Sequence, residues 1–461
     1  MARFVIGFAF AGLAALAWLL PAAKPAAALG RYTYLQFGLA CGLTLLALVV
    51  LVGALLPARL RRGYGFRAAA ILFSATLVLG FWEAACWLLP PLHLMDNPWY
   101  LGTGQALESD PDLPYARPGG ISWTGLSRGD LAMFNQDRDP YARTITFETD
   151  ADGFRNSEAI PNPEVVFIGD SFTEAGNLPI EETFPHRIAE ELGKRGRNLG
   201  RAGYSPPTEL IVLKRHGLDP APDLILWQIA ESNDLNEARD YRGWLEQGKP
   251  PFIKQDRKGS LTRKESWQLR SPTFKFYASL RSRRPWEQGP EGTMQGADGK
   301  VYPMRMLFMP DPTLAPPNHD GFGESLNALI EGKQLADAAG ARLLVFMLPM
   351  KFRAVAPSVS FNDFSVPRLE NLGLRASDGW DPPQRNRLGP WLAQACRNNG
   401  IAFVDMTEEL RQGAAAGEIV YQPFDTHLAP EGHERVTRRL VAEARALLAA
   451  PPEPPSTPPT D

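Results

Sequence analysis

The sequence predicts an α/β fold with a mostly parallel sheet, preceded by three transmembrane helices, and three observations predict it. Apolar runs stand near the N-terminus at residues 4–22, 35–56 and 68–89. Each is close to the ~20 residues a helix needs to cross the hydrocarbon core. Downstream, wholly apolar runs such as Val165-Val166-Phe167-Ile168 and Leu343-Leu344-Val345-Phe346-Met347-Leu348 read as strands buried on both faces. Between such strands lie helical patterns of about a dozen residues, the rhythm of βαβ units.

A chain of 461 residues is long for one domain. The expected organisation is a membrane anchor over 1–95, an irregular or antiparallel connector over 96–160, an α/β domain over 161–450 with an insertion at about 236–318, and a Pro-rich disordered tail over 451–461. The hydrophobic fraction of 44% is ordinary, but it is concentrated in the first 95 residues. A net charge of -3, with no Lys/Arg stripe interleaved with aromatics, argues against nucleic acid as a partner. Cys41, Cys86 and Cys396 lie far apart, which excludes a disulfide framework or a cysteine zinc site.

The loop after the second apolar run holds Arg59, Arg61, Arg62 and Arg67, against only Lys24 and Arg31 after the first. Positive loops stay in the cytoplasm. The N-terminus is therefore expected inside and everything after Leu89 outside, which in a Gram-negative cell is the periplasm. Trp82, Trp87, Trp99 and Tyr100 then fall at the outer interface as an aromatic belt. The first run has an alternative reading as a signal peptide, since Arg3 precedes it and Ala-rich sequence follows. Its length and the two spans behind it favour an uncleaved helix. Glu83 marks either a partner contact or the headgroup region.

After the membrane the connector is rich in Pro, Gly and Asp. Its one alternating run, 143–149, reads as a strand with one dry face, followed by a turn at Gly153. The α/β domain opens with the strand 165–168, then Gly169-Asp170-Ser171. Helical spacing follows over 180–192, a strand-like piece near Asn198, a helix over 207–216 and the strand 224–229, ending in Glu231-Ser232-Asn233-Asp234. The stretch 236–318 breaks the rhythm and reads as an insertion lying over the site. The pattern resumes with a helix over 323–338, the strand 343–348, a helix over 387–398 and the strand 401–405, then Asp425-Thr426-His427 and a final helix.

Serine nucleophiles need a base within hydrogen-bond reach, a group that orients the base, and donors for the oxyanion. The chain offers these at successive strand ends: Ser171 after the first, Gly203 after the second, Asn233 after the third, Asp425 and His427 after the last. In a parallel sheet those ends share one edge. Gly-Asp-Ser, a later Gly, Asn-Asp and a C-terminal Asp/His pair, in that order, resemble the SGNH (GDSL-type) hydrolase superfamily over about 161–448, the insertion excluded. The resemblance implies a three-layer, flavodoxin-like α/β/α sandwich. It also implies Ser171 as nucleophile, His427 as base and Asp425 as the orienting acid. The oxyanion hole would be formed by the N–H groups of Ser171 and Gly203 with the Asn233 amide. Two positions depart from the family pattern. Glu231 stands where Gly is usual, and the acid lies two residues before the histidine instead of three, Phe424 occupying the third position. The spacing Asp-Thr-His is similar to that of SGNH-like proteins of alginate acetylation.

Other candidates have plainer readings. Asp170 fixes the turn, Gly432-His433 packs and caps the last helix, Asp405 caps the helix at Thr407, and His186 is structural. His93, His216 and His319 have no acidic or histidine partners at ligand spacing, so no metal site is expected, and no cofactor either. Lys351 either touches an anionic or sugar group or is exposed. The expected function is a serine esterase outside the cytoplasm, acting on an acylated carbohydrate or another envelope ester. One alternative is an O-acetyltransferase for exported polysaccharide, served by a membrane acyl-transfer partner. The other is a catalytically silent envelope scaffold.

Overall fold

In the computed structural model, described for residues 8–15, parts of 43–78, 108–249 apart from 128 and 136–138, 290–306, 318–380 and 388–451, the alternating run is one arm of a hairpin. Ser122–Ser127 forms β1 and Arg143–Glu148 forms β2, paired antiparallel from Ser122 opposite Glu148 to Ser127 opposite Arg143. Ile145 and Phe147 are buried and Thr144 and Thr146 exposed, as period-two alternation requires.

The remaining strands follow in chain order: β3 (Val165–Ile168), β4 (Gly196–Asn198), β5 (Leu224–Ala230), β6 (Gly292–Gln295), β7 (Val301–Met304), β8 (Arg342–Leu348), β9 (Val359–Phe361) and β10 (Ala402–Asp405). Five of them form one parallel sheet in the order β10-β8-β5-β3-β4. Asn198, Phe167, Leu226, Leu344 and Ala402 lie in one row across it. Every residue of β3 and β5 is buried, because helices cover both faces. On one face Phe167, Leu226 and Phe346 pack with helices Phe184–Leu192, Thr407–Ala415 and Pro430–Ala449. On the other, Ile168, Ile225 and Trp227 pack with helices Pro206–Val212, Phe322–Ala339 and Leu388–Asn398. The chain leaves β3 toward β4 and then crosses to β5 on its other side. This reversal of strand order opens a crevice at the carboxyl ends of β3 and β5, where open α/β sheets bind their ligands.

A second sheet, β7-β6-β9, is antiparallel. Its hairpin β6–β7 and the helix Asp234–Glu246 fall in the stretch that reads from sequence as weakly periodic. Strands of four residues are too short to show a period, and pairing of Gly292 with both Met304 and Phe361 supplies the order that the local sequence lacks.

The chain divides into two compact units, Met1–Leu94 with Gln255–Gln288, and Met95–Lys254 with Gly289–Asp461. Among the described residues no helix is long and apolar enough to cross a membrane. The three apolar runs fall largely outside the described residues, as do Glu83, the aromatic belt, 250–289 and 307–317.

Candidate active site

The nucleophile turn is shaped by close packing. Gly169 has φ +156°, and a Cβ there would lie 2.4 Å from Thr173 Oγ1 and 2.5 Å from Gln228 Oε1. Only glycine lets β3 turn this tightly against β5. Asp170 then caps the short helix Ser171–Glu174, accepting from the Phe172 N–H at 2.9 Å. Ser171 is its first residue, at the carboxyl edge of the sheet beside the strand-order reversal.

The structure brings Ser171, His427 and Asp425 together. His427 Nε2 lies 2.9 Å from Ser171 Oγ, and Nδ1 lies 2.5 Å from Asp425 Oδ1. The His427 backbone N–H donates to the same oxygen at 2.8 Å, so a two-residue spacing suffices: one carboxylate oxygen holds ring and backbone together. Burial disfavours a charged imidazole, but the carboxylate of Asp425, with Asp130 and Asp170 behind it, outweighs that and raises the His427 pKa to about 9. Asp425 is fully buried, which opposes its charge, yet the imidazole and Lys351 hold its pKa below the ordinary value.

Asn233 comes to the same place from the end of β5. Its Nδ2 donates to Asp170 Oδ2 at 3.0 Å, and its side chain also hydrogen-bonds Glu237. Gly203 lies in a turn tied alongside the nucleophile: Arg201 N–H donates to Gly169 O at 2.9 Å and Ala202 N–H to Glu174 Oε2 at 3.3 Å. Gly203 has φ +76°, and a Cβ there would meet the Tyr115 hydroxyl at 2.3 Å.

Several neighbours of the site escape sequence reasoning. Asp130 accepts from the Thr426 N–H at 2.9 Å and from the Thr426 hydroxyl, and stands 3.9 Å from His427 Nδ1. Arg117 forms a buried ion pair with Glu174. Tyr115 donates to Ala202 O, and its own carbonyl accepts from the Tyr204 hydroxyl at 2.6 Å. All three come from the connector, where an acid, an arginine and a tyrosine in irregular sequence carry no period or motif.

Lys351 corrects both of its sequence readings, because it is buried and donates to the carbonyls of Gln422 at 2.6 Å, Pro423 at 3.0 Å and Asp425 at 2.9 Å. It thereby holds the loop that presents His427. Burial lowers its pKa to about 7, against the pull of Asp425 and Asp130. The Arg305 N–H donates to Pro423 O at 2.8 Å, so the β6–β7 hairpin abuts the same loop. Glu231, where Gly is usual in the related pattern, pairs with Arg353. His433 stacks on Phe184 and its Nδ1 accepts from the Phe184 N–H at 3.0 Å, a packing role. Asp405 accepts from the Thr407 N–H at 2.9 Å, one position ahead of the usual cap. His216 differs from expectation in having an acidic neighbour, Asp152, at 3.7 Å.

Among the described residues, two groups of side chains come close enough to share a cation, Asp130–Asp425–His427 and Asp170–Asp234–Glu237. In the first, the oxygens already serve Thr426 and the imidazole. In the second, burial and then the charge of Asp170 raise the Glu237 pKa to about 8 and push Asp234 well above its ordinary range. Protons on Asp234 and Glu237 therefore reduce the negative charge of that cluster at neutral pH.

Comparison with known proteins follows the same line. No curated protein matches the chain. Among solved structures it is similar to an acetylxylan esterase from Geobacillus stearothermophilus, at 10% identity over 62% of this chain and 95% of that one, with a TM-score of 0.30. A GDSL-like lipase from Bacteroides thetaiotaomicron is similar at 13% identity over 62% and 92%, with a TM-score of 0.28. Likenesses this weak carry no weight beside the family match. Residues 167–435, more than half of the chain, match the family described as GDSL-like lipase/acylhydrolase. The chain belongs to the GDSL-like lipase/acylhydrolase family and is a serine esterase of that kind.

Proposed function

We propose that this protein is a membrane-anchored, extracytoplasmic ester hydrolase that cleaves acyl groups from carbohydrate or another envelope ester through an acyl-serine intermediate. The observation that carries the reading is the line from Ser171 Oγ through His427 to Asp425, at 2.9 and 2.5 Å, placed where the strand order reverses. Anchoring rests on the three apolar runs, and the outward orientation on the arginines of the loop after the second.

The imidazole in its neutral form, which becomes the main form only as pH rises toward about 9, removes the Ser171 proton as Oγ attacks the ester carbonyl, and Asp425 stabilises the imidazolium that forms. Charge on the tetrahedral oxygen is met by the N–H groups of Ser171 and Gly203 and the side-chain amide of Asn233. His427 returns the proton to the leaving alcohol. It then activates water to release the acid and regenerate Ser171. When a sugar hydroxyl replaces water, the same steps transfer the acyl group. The Asp425-Thr426-His427 spacing, similar to that of alginate-acetylation proteins, supports that second reading.

Labelling of the full-length protein with a fluorophosphonate and, on separate unlabelled protein, hydrolysis of p-nitrophenyl acetate test the proposal. Wild type is expected to form one adduct on Ser171 and to hydrolyse the ester, and Ser171→Ala to do neither. An unlabelled wild type would point to a silent scaffold. Acetyl transfer to an added oligosaccharide, exceeding hydrolysis, would select the transferase.

A further inference from the structure

The loop that carries the base has no regular structure of its own, and two side chains from distant parts of the chain hold it. Lys351 grips its carbonyls, as described above. The other is Asp130, the first residue of the helix Asp130–Asn135, which comes from the segment before the α/β domain. Three contacts converge there. Asp130 Oδ1 accepts the Thr426 N–H at 2.9 Å, Oδ2 accepts the Thr426 hydroxyl, and the Asp130 N–H points to Asp425 Oδ2 at 3.3 Å. Asp130 Oδ2 stands 3.9 Å from His427 Nδ1, so two carboxylates face the same imidazole nitrogen. A neighbouring turn locks the segment: Gly129 N–H donates to Asp139 Oδ2 at 2.7 Å, and a Cβ on Gly129 would lie 2.1 Å from Phe424 O.

We propose that Asp130 is a positioning residue of the esterase reaction: it fixes the Asp425-Thr426-His427 loop through Thr426 and adds a second negative charge that supports the imidazolium formed when Ser171 is deprotonated. The inference rests on the function proposed above and deepens it. Asp425 makes the shortest contact with Nδ1, at 2.5 Å, and the Thr426 hydroxyl lies 3.3 Å from the same nitrogen. Asp130 acts one contact further out, through charge and through the backbone that His427 follows. Other ionisable groups around the pair are Asp425, Asp170 and Lys351, with Asp139 and Glu291 beyond. Burial and then the charge of Asp425 raise the Asp130 pKa to about 6, so the second charge is present above that pH and fades below it.

The test uses the full-length protein and the pH dependence of kcat/KM on p-nitrophenyl acetate. Asp130→Asn keeps an acceptor for the Thr426 N–H but removes the charge. Its kcat is expected to fall about tenfold with KM unchanged, and its acid limb to move to lower pH by at least about half a unit, since the imidazolium loses a counter-charge. Thr426→Val removes the hydroxyl grip and keeps the charge, so kcat is expected to fall with the acid limb in place. A wild-type profile and kcat in Asp130→Asn would overturn the proposal. Should that variant fail to fold, a wild-type kcat in Thr426→Val would overturn it instead. Absence of Ser171 labelling in wild type would sink the functional reading and is seen separately, before any Asp130 variant is compared.

Discussion

The Nε of Arg353 lies 2.8 Å from both carboxylate oxygens of Glu231, and the two side chains are 3% and 4% exposed. Glu231 occupies the place where the related pattern has glycine, directly after β5. Its Oε2 also accepts from the Met350 N–H at 3.2 Å, so the pair links the end of β5 to the start of the helix Lys351–Val355 that carries Lys351.

Breaking such a pair from one side strips a buried charge of its counter-ion. Glu231→Ala is therefore expected to destabilise the protein by about 3–5 kcal/mol in urea unfolding. Pairing Glu231→Gln with Arg353→Met removes both charges and is expected to recover most of that loss. Equal stability of Glu231→Ala and wild type would show that the pair contributes nothing.

Gly203 makes a second, separable prediction. Alanine at φ +76° costs about 1–2 kcal/mol in backbone strain, and its Cβ would also press on the Tyr115 hydroxyl at 2.3 Å. Gly203→Ala is expected to lower both Tm and esterase rate. Tyr115→Phe removes the hydroxyl but also its bond to Ala202 O, so the comparison is made in that background, where Gly203→Ala should lower Tm less than it does in wild type. If Gly203→Ala costs as much in Tyr115→Phe as in wild type, the clash is not the cause.

His433 sets part of the response to acid. Burial lowers its pKa to about 3, against an ordinary 6.5, with nearby Arg187 and Arg155 adding to the effect. The unfolded chain therefore binds the extra proton between those values, and stability contributed by the neutral ring is present above pH 6.5 and lost as pH falls toward 3. His433→Gln keeps an acceptor for the Phe184 N–H and cannot gain a proton. Its Tm should fall less steeply than that of wild type between pH 6.5 and 4. Parallel Tm curves would remove His433 from the account.

The parallel sheet was legible because strands buried on both faces are apolar at every position, and helices of similar length separate them. Ser171, Asn233, Asp425 and His427 were legible because each stands just past a strand end or in the last loop, and a parallel sheet gathers those ends. β1 was not: Ser-Trp-Thr-Gly-Leu-Ser has no clean alternation, and its pairing with β2 makes it a strand. Asp130 was not legible either, since its contact with Thr426 spans 296 residues. Lys351 could be placed at a strand end, but whether it faced solvent or interior depended on carbonyls 71 to 74 residues away.

The match to the family starts at residue 167, after Tyr115, Arg117 and Asp130. Each of these reaches a different part of the site: the turn of Gly203, the helix of Ser171 through Glu174, and the loop of His427. Cut at the homologous boundary, the chain would keep every residue of the proposed chemistry and lose three of its supports. It would also leave Glu174, 1% exposed, without its ion-pair partner Arg117 and with only Arg201 near by. The supports of this site thus begin upstream of the segment that matches the family.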